Sequence, residues 1–261
     1  MAIHSTAIVD PRAEIDASAE VGPYVIIEGP VHVGPGTRIM PFVSISGSTH
    51  IAANCQIYPH AAIGHAPQDL SYDGAETYCL VGEATIIREG VTIHRGTGSA
   101  SSTVVGKRCF LMANSHVAHN CQLGDEVVLA NGVLLAGHVQ VGDRAFLGGG
   151  AVVHQFSRIG ELVMIRGLGR ITMDVPPFGL AGEDNCCFGV NVVGMRRAGL
   201  TSRERQEISK GYRILYRSGL AFGKAVDQLA EQVETEVGRR LLEFLRQPSK
   251  RGIIRGRRQA E

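Results

Sequence analysis

Residues 105–121, VGKRCFLMANSHVAHNC, open a rhythm that decides the fold. From there to residue 171 every sixth position is aliphatic: Val105, Leu111, Val117, Leu123, Leu129, Leu135, Val141, Leu147, Val153, Ile159, Ile165 and Ile171. A period of six is neither the 3.6 of a helix nor the 2 of an alternating strand. It suits a coil with three flat sides, each a short strand that turns one aliphatic side chain inward. Roughly 18 residues then close a turn, and successive turns pair as parallel strands about 4.8 Å apart. Glycines follow several aliphatic positions (Leu123-Gly124, Val141-Gly142, Leu147-Gly148, Ile159-Gly160), where turns between sides need tight backbone. The period predicts a parallel β-helix.

Working back towards the N-terminus, the phase holds at Ile3, Val9, Ile15, Val21, Ile27, Val33, Ile39, Ile45, Ile51, Ile57 and Ile63. It fails at Asp69 and Ala75, resumes at Val81, Ile87 and Ile93, and fails again at Ser99. The gaps mark two excursions, HAPQDLSYDGAET (65–77) and RGTGSASS (95–102). Polar insertions at two places in a solenoid are expected to build one face of a site.

Working forward, MDVPPFGLAG ends the coil after Ile171, because prolines cannot donate to a further rung. EDNCCFGVNVVGMRRAGL (183–200) reads as a linker, and then the period changes. Thr201 with Glu204 forms a capping box. Ile208, Tyr212, Leu215 and Tyr216 make a helical stripe that breaks near Ser218-Gly219. Phe222, Val226, Leu229 and Val233 make a second, and Val237, Leu241, Leu242 and Leu245 a third. The tail SKRGIIRGRRQAE is basic and reads as mobile.

The 261 residues suffice for one long domain and an appendage. Net charge is near zero but unevenly placed: residues up to Val190 carry −7 and those after it +8. Such a gradient points to an anionic partner or an acidic neighbour for the C-terminal part. The six cysteines lack zinc-like C-x-x-C spacing, and Cys109 and Cys121 occupy repeat positions that need small inward residues. A reduced, cytoplasmic protein is expected. The N-terminus enters the repeat at Ile3 with no cleavable signal, and no apolar run reaches the ~20 residues of a bilayer span. Long flat sides favour an oligomer, with three prisms about a threefold axis leaving clefts between them.

His116, His119, His138 and His154 fall within two turns of coil. The steps from His119 to His138 and from His138 to His154 are close to one turn, so the four are expected to stack on one side. Three readings stand: a general base for a hydroxyl or amine, a three-imidazole zinc site, or hydrogen-bonded surface imidazoles.

TIHRGT (92–97), NSHVAHNC (114–121), LAGHV (135–139), AVVHQF (151–156), DVPPF (174–178) and FGVNVVGMRR (188–197) together resemble the acyl-carrier-protein-dependent UDP-N-acetylglucosamine O-acyltransferases of lipid A biosynthesis. The match runs over nearly the whole chain. Hexapeptide repeats are common among acyl- and acetyltransferases, whereas the ordered set IHRGT, HVAH and VHQF is specific. The resemblance implies an all-β left-handed parallel β-helix of hexapeptide repeats with a small C-terminal α-helical domain, here 1–187 and 188–261. It also implies a homotrimer that moves a 3-hydroxyacyl chain from acyl carrier protein to the glucosamine 3-hydroxyl of UDP-N-acetylglucosamine. No metal, cofactor or nucleic acid enters.

Carried over by position, His119 is the general base and the Gly137 N–H the oxyanion donor. Gln68, Asp69, His116, His138, His154 and Gln155 match substrate-binding positions. Asn191 and Arg197 match the nucleotide end, and Gly167 the floor of the acyl channel, with Arg166 a bulky neighbour. The chain departs from the family pattern at Asn120, where an aspartate is usual, and at Ser71, where a lysine is usual. Val193 replaces a glutamate, and Ala198 ends the Arg-Arg pair. A β-helical trimeric zinc hydratase of the carbonic anhydrase type, and a nucleotide-sugar binding module without turnover, are the competing readings.

Overall fold

In the computed structural model, which describes residues 2–183 and 185–256, the chain winds into a left-handed parallel β-helix with three faces. Strands of two to four residues, such as Phe110–Leu111, His116–Val117 and Gln122–Leu123, fall in turn on faces A, B and C. Phe110 pairs with Val128, and Val128 with Phe146, so three hexapeptides complete one coil. Every sixth aliphatic from Val21 to Ile171 that keeps the phase is buried, and a residue no larger, two positions earlier, completes each inward layer. Cys55, Cys79, Cys109 and Cys121 fill that second position as free, buried thiols. Thr37 and Thr85 fill it too; each hydroxyl donates to a carbonyl one coil on, which satisfies it inside the core.

The corners differ from the expectation in one respect. Left-handed backbone falls three residues after the inward aliphatic, at Arg108, Asn114, Asn120, Glu126, His138 and Arg144, among others, with φ from 51° to 61°. Only a few of these corner positions are glycine. Gly124, Gly142, Gly148 and Gly160 have ordinary φ and serve another purpose. A Cβ on Gly142 would lie 2.5 Å from the Glu161 nitrogen, and one on Gly148 equally near the Gly167 nitrogen. Those glycines let successive coils approach.

The two excursions are visible as register steps. Gln56 pairs with Ile86, and Ile86 with Phe110, whereas Phe110 pairs with Val128 at the regular step. The first of these coils is thus longer than a regular one by two hexapeptides, and the second by one. The surplus leaves as loops, and the coil resumes its phase.

The end of the coil is less abrupt than the prolines suggest. Gly179–Gly182 adds a further parallel rung to face A beside Met164–Ile165. The chain then reverses: Cys186–Val190 pairs antiparallel with that rung. The segment read as a linker is therefore a return strand followed by α1 (Val192–Arg197). Three helices follow, α2 (Ser202–Arg217), α3 (Phe222–Ala230) and α4 (Glu236–Arg246). The capping box of Thr201 and Glu204 opens α2 as expected. The helices seat on the coil where the buried Tyr212 hydroxyl donates to the Pro176 and Pro177 carbonyls.

The described part of the basic tail, residues 249–256, is structured. Ile253 bridges to Asp174, Ile254 is buried, and Arg255–Gly256 pairs with Cys186–Val190. The rest of that tail, residues 257–261, lies outside the described residues.

Gly142→Ala is expected to lower the unfolding free energy by about 1–3 kcal/mol, the cost of overpacking a closed contact. Gly98→Ala, where an added Cβ meets nothing within 4 Å, is expected to change it little. Urea denaturation of both variants checks the contrast.

Candidate active site

His119 sits at the corner between faces B and C and is 8% exposed. One coil on, in the same column, lies Gly137. A Cβ there would stand 2.5 Å from His119 Nε2, so the missing side chain makes room for the imidazole. His119 Nδ1 lies 3.0 Å from Asn120 Oδ1. That amide oxygen also accepts the Thr97 backbone N–H at 3.1 Å and the Thr97 hydroxyl at 2.9 Å. A backbone N–H only donates, so the atom facing it must be the amide oxygen. The neutral imidazole is thereby held with its proton on Nδ1 and its lone pair on Nε2. Asn120 itself occupies a left-handed corner, and its N–H donates to Thr103 Oγ1 at 2.7 Å.

Nε2 faces the other excursion. Asp69 Oδ2 lies 3.4 Å from it. Ser71 donates its N–H and its hydroxyl to Asp69 Oδ1, and with the nearby histidines these bonds hold the carboxyl below its usual pKa. An unprotonated Nε2 and a carboxylate cannot bond one another, so the place where they converge accepts a donor, a hydroxyl or an amine. The excursions brace each other: Arg95 donates to the Gly64 carbonyl at 2.8 Å and to the Tyr72 hydroxyl at 3.0 Å.

The histidines stack less simply than their spacing suggests. His138 meets His119 edge-on, with ring centroids 5.2 Å apart, and stacks on Phe156 at 4.7 Å. His116 shares a 2.7 Å bond with the Thr92 hydroxyl and meets His94 edge-on at 5.1 Å. Burial, then His119, lowers the pKa of both His116 and His138. His154 is not part of the stack. One full coil beyond His138 lies Phe156, and the shorter step to His154 leaves that residue one coil beyond Ala136 instead. There it is exposed, with Nδ1 near the Gln155 carbonyl. Among the described residues of the single chain no three His, Cys, Asp or Glu side chains are placed together to hold a metal ion.

The remaining expected residues are dispersed. Gln68 is exposed beside Asp69, and Gln155 follows Gly137 by one coil in the His119 column. Asn191 caps α1: its Oδ1 accepts from the Gly194 N–H, while its Nδ2 donates to the Leu162 carbonyl. Arg197 is exposed in the last turn of that helix. Gly167 lies at the corner between faces A and B, at the opposite edge of face B from His119 and between two and three coils further on. Arg166 turns away from it, over the Phe188 ring and towards Glu183.

Thr97, Thr92, Thr103, His94 and Phe156 join the cluster without having been singled out from the sequence. Thr97 was discoverable in principle, since it lies inside the second excursion.

Two family models match this chain: bacterial transferase hexapeptide repeats over residues 102–137, and domain 2 of UDP N-acetylglucosamine O-acyltransferase over residues 174–254. The acyl-[acyl-carrier-protein]–UDP-N-acetylglucosamine O-acyltransferase of Syntrophobacter fumaroxidans is 46% identical, covering 98% of this chain and all of its own. The enzyme of the same name from a Janthinobacterium species is 44% identical, covering 97% and 99%. The crystal structure of UDP-N-acetylglucosamine O-acyltransferase from Moraxella catarrhalis superposes with a TM-score of 0.93 at 39% identity, covering 98% and 100%.

His94 is buried, and burial together with the neighbouring histidines pushes its pKa down to about 4 from an ordinary 6.5. Below 6.5 the unfolded chain takes up a proton that the folded chain refuses, so stability is full above 6.5 and falls as pH drops towards 4. The unfolding midpoint is expected to follow that course, and His94→Gln to flatten it.

Proposed function

The chain belongs to the acyl-[acyl-carrier-protein]–UDP-N-acetylglucosamine O-acyltransferase family, and from that premise we propose that it transfers a 3-hydroxyacyl chain from acyl carrier protein to the glucosamine 3-hydroxyl of UDP-N-acetylglucosamine, the first step of lipid A biosynthesis. The observation that carries the proposal is the His119 imidazole, with its proton held on Nδ1 by Asn120 and its Nε2 facing Asp69 above Gly137. Such an imidazole is a base for a hydroxyl.

In the proposed step, Nε2 takes the hydroxyl proton as the oxygen bonds to the thioester carbonyl carbon. The carbonyl electrons move onto oxygen, and the Gly137 N–H, which has no acceptor among the described residues, stabilises that oxyanion. The tetrahedral intermediate collapses by breaking the carbon–sulfur bond. The imidazolium returns its proton to the departing sulfur, leaving an ester and a thiol. While charged, the imidazolium has both a partner and a counter-ion: Asn120 Oδ1 accepts from Nδ1, and the Asp69 carboxylate lies beside Nε2. Asn120 thus sets the tautomer, and the negative charge that an amide lacks comes from Asp69. This division of labour supports an active site rather than a binding module.

His116, His138, Gln155 and Gln68 surround the acceptor in this reading, and His154 lies at its outer edge. Asn191 contributes by capping α1 and so holding Arg197 at the nucleotide end. Because His119 and Gly167 occupy different corners of one prism, an acyl chain running between them needs a second copy of the chain to complete its channel. A homotrimer supplies it. The outward positions of face A favour such packing, with Ile86, Phe110, Val128, Phe146 and Met164 in one apolar column. A cytoplasmic setting suits six free thiols and an acyl-carrier-protein donor. Among the described residues no helix is long and apolar enough to cross a membrane.

An acyl-transfer assay with UDP-N-acetylglucosamine and a panel of 3-hydroxyacyl carrier proteins tests the reaction. His119→Ala is expected to lower kcat by roughly 100- to 10,000-fold, and chelator to leave the wild-type rate unchanged. Wild-type binding of the nucleotide sugar without transfer from any donor would replace the proposal with the binding-module reading. Asn120→Leu, which frees the tautomer, is expected to cost kcat about tenfold or more and also to lower the melting temperature, because it leaves Thr97 without its acceptor and puts a branched side chain in left-handed backbone. Light scattering is expected to give three times the chain mass of 27.9 kDa.

A further inference from the structure

A lysine from the far end of the chain lies against the histidine cluster. Lys250 follows α4, and its Nζ stands 4.6 Å from the centroid of the Phe156 ring. Phe156 stacks on His138, which in turn meets His119 edge-on, so the ammonium stands two ring contacts beyond the base. The segment that carries it is tied down on both sides. Ser249 accepts the N–H groups of Arg251 and Gly252, Arg251 donates to the Thr172 carbonyl at 3.0 Å, and Ile253 bridges to Asp174. Lys250 itself is exposed, and among the described residues no carboxylate pairs with it. Its charge reaches the cluster: after burial and His119, it is the next cause of the lowered His138 pKa.

Neighbouring cations are already committed. Arg95 is spent on Gly64 and Tyr72, and Arg158 on Asp174 and Gln247. An ammonium resting on an aromatic face keeps its donors available, because the ring attracts the charge without accepting a directed hydrogen bond. Beside a site that takes phosphorylated substrates, such a group has an evident ligand.

We propose that Lys250 binds a phosphate of the nucleotide-sugar acceptor and so holds the sugar against His119. This rests on the acyltransferase reading, in which the diphosphate lies one pyranose ring away from the reacting hydroxyl. The phosphodiester of the carrier protein lies a whole pantetheine chain from its thioester. A cation two ring contacts from the base therefore suits the acceptor. A contact made alike in the ground state and the transition state acts on KM and leaves kcat alone.

Full-length Lys250→Ala and Lys250→Arg are compared with the wild type by steady-state transfer and by calorimetric titration with UDP-N-acetylglucosamine. Lys250→Ala is expected to raise the KM and Kd for the acceptor about tenfold, with kcat and the KM for acyl carrier protein changed by less than about twofold. Lys250→Arg is expected to retain most of the affinity. Acceptor constants that do not move would overturn the proposal. So would a rise confined to acyl carrier protein, which would assign the lysine to the prosthetic arm. A lowered melting temperature with both KM values intact would reduce Lys250 to an anchor of the C-terminal segment. The titration needs no turnover, so a wild type that binds without transferring would fail the acyltransferase reading and still decide the role of Lys250.

Discussion

The register between successive coils is the constraint on which everything else depends. Parallel strands one coil apart exchange backbone hydrogen bonds, so each residue lies directly over its counterpart three hexapeptides earlier. A column on the outside of the prism is therefore a set of residues from distant points in the chain, about one strand spacing apart. The requirement is costly at the corners, where residues such as Arg108, Asn120 and His138 accept left-handed backbone. Burial of an unbroken stack of Ile, Leu and Val layers offsets that cost. It is also why glycine is needed where coil backbones touch, as at Gly142 and Gly148.

Chemistry gathers where that register is interrupted. The two excursions lengthen their coils by whole hexapeptides and deliver Asp69 to one nitrogen of the His119 imidazole and Thr97 to the Asn120 amide that meets the other. Neither loop makes a site alone. Thr97 orients the Asn120 amide, which sets the His119 tautomer, while Asp69 supplies the charge. In the proposed step an asparagine at a position where a carboxylate is usual is no defect, since tautomer control and charge compensation come from different residues. Ser71 contributes in turn by tying down the Asp69 carboxylate.

Much of this was legible beforehand because a period of six has one geometric solution. The coil, its inward positions, the small inward cysteines, both excursions and the Thr201 capping box follow from local pattern. His119 and Asp69, both picked out by the family resemblance, lie 3.4 Å apart. Spacing misled where an approximate period stood in for the true one. The step from His138 to His154 is near one turn but short of it, and in a strand-and-corner repeat a shortfall of two positions carries a side chain off the column. The supposed linker at 183–200 proved to be a return strand and a cap, because its partners are residues on the last coils rather than sequence neighbours.

The sequence by itself determined the architecture, since alternating inward aliphatics and corner residues are local requirements repeated in every coil. The family resemblance of its motifs also pointed to His119 as the candidate base. Only the tertiary structure decided which groups meet at that base. Thr97 reaches Asn120 from the second excursion, one coil earlier in the chain, and Asp69 reaches His119 from the first, two coils earlier. Lys250 reaches Phe156 from the opposite end of the chain. No periodicity encodes such pairings, because they depend on how loops and a C-terminal segment close over a surface that the coil leaves free.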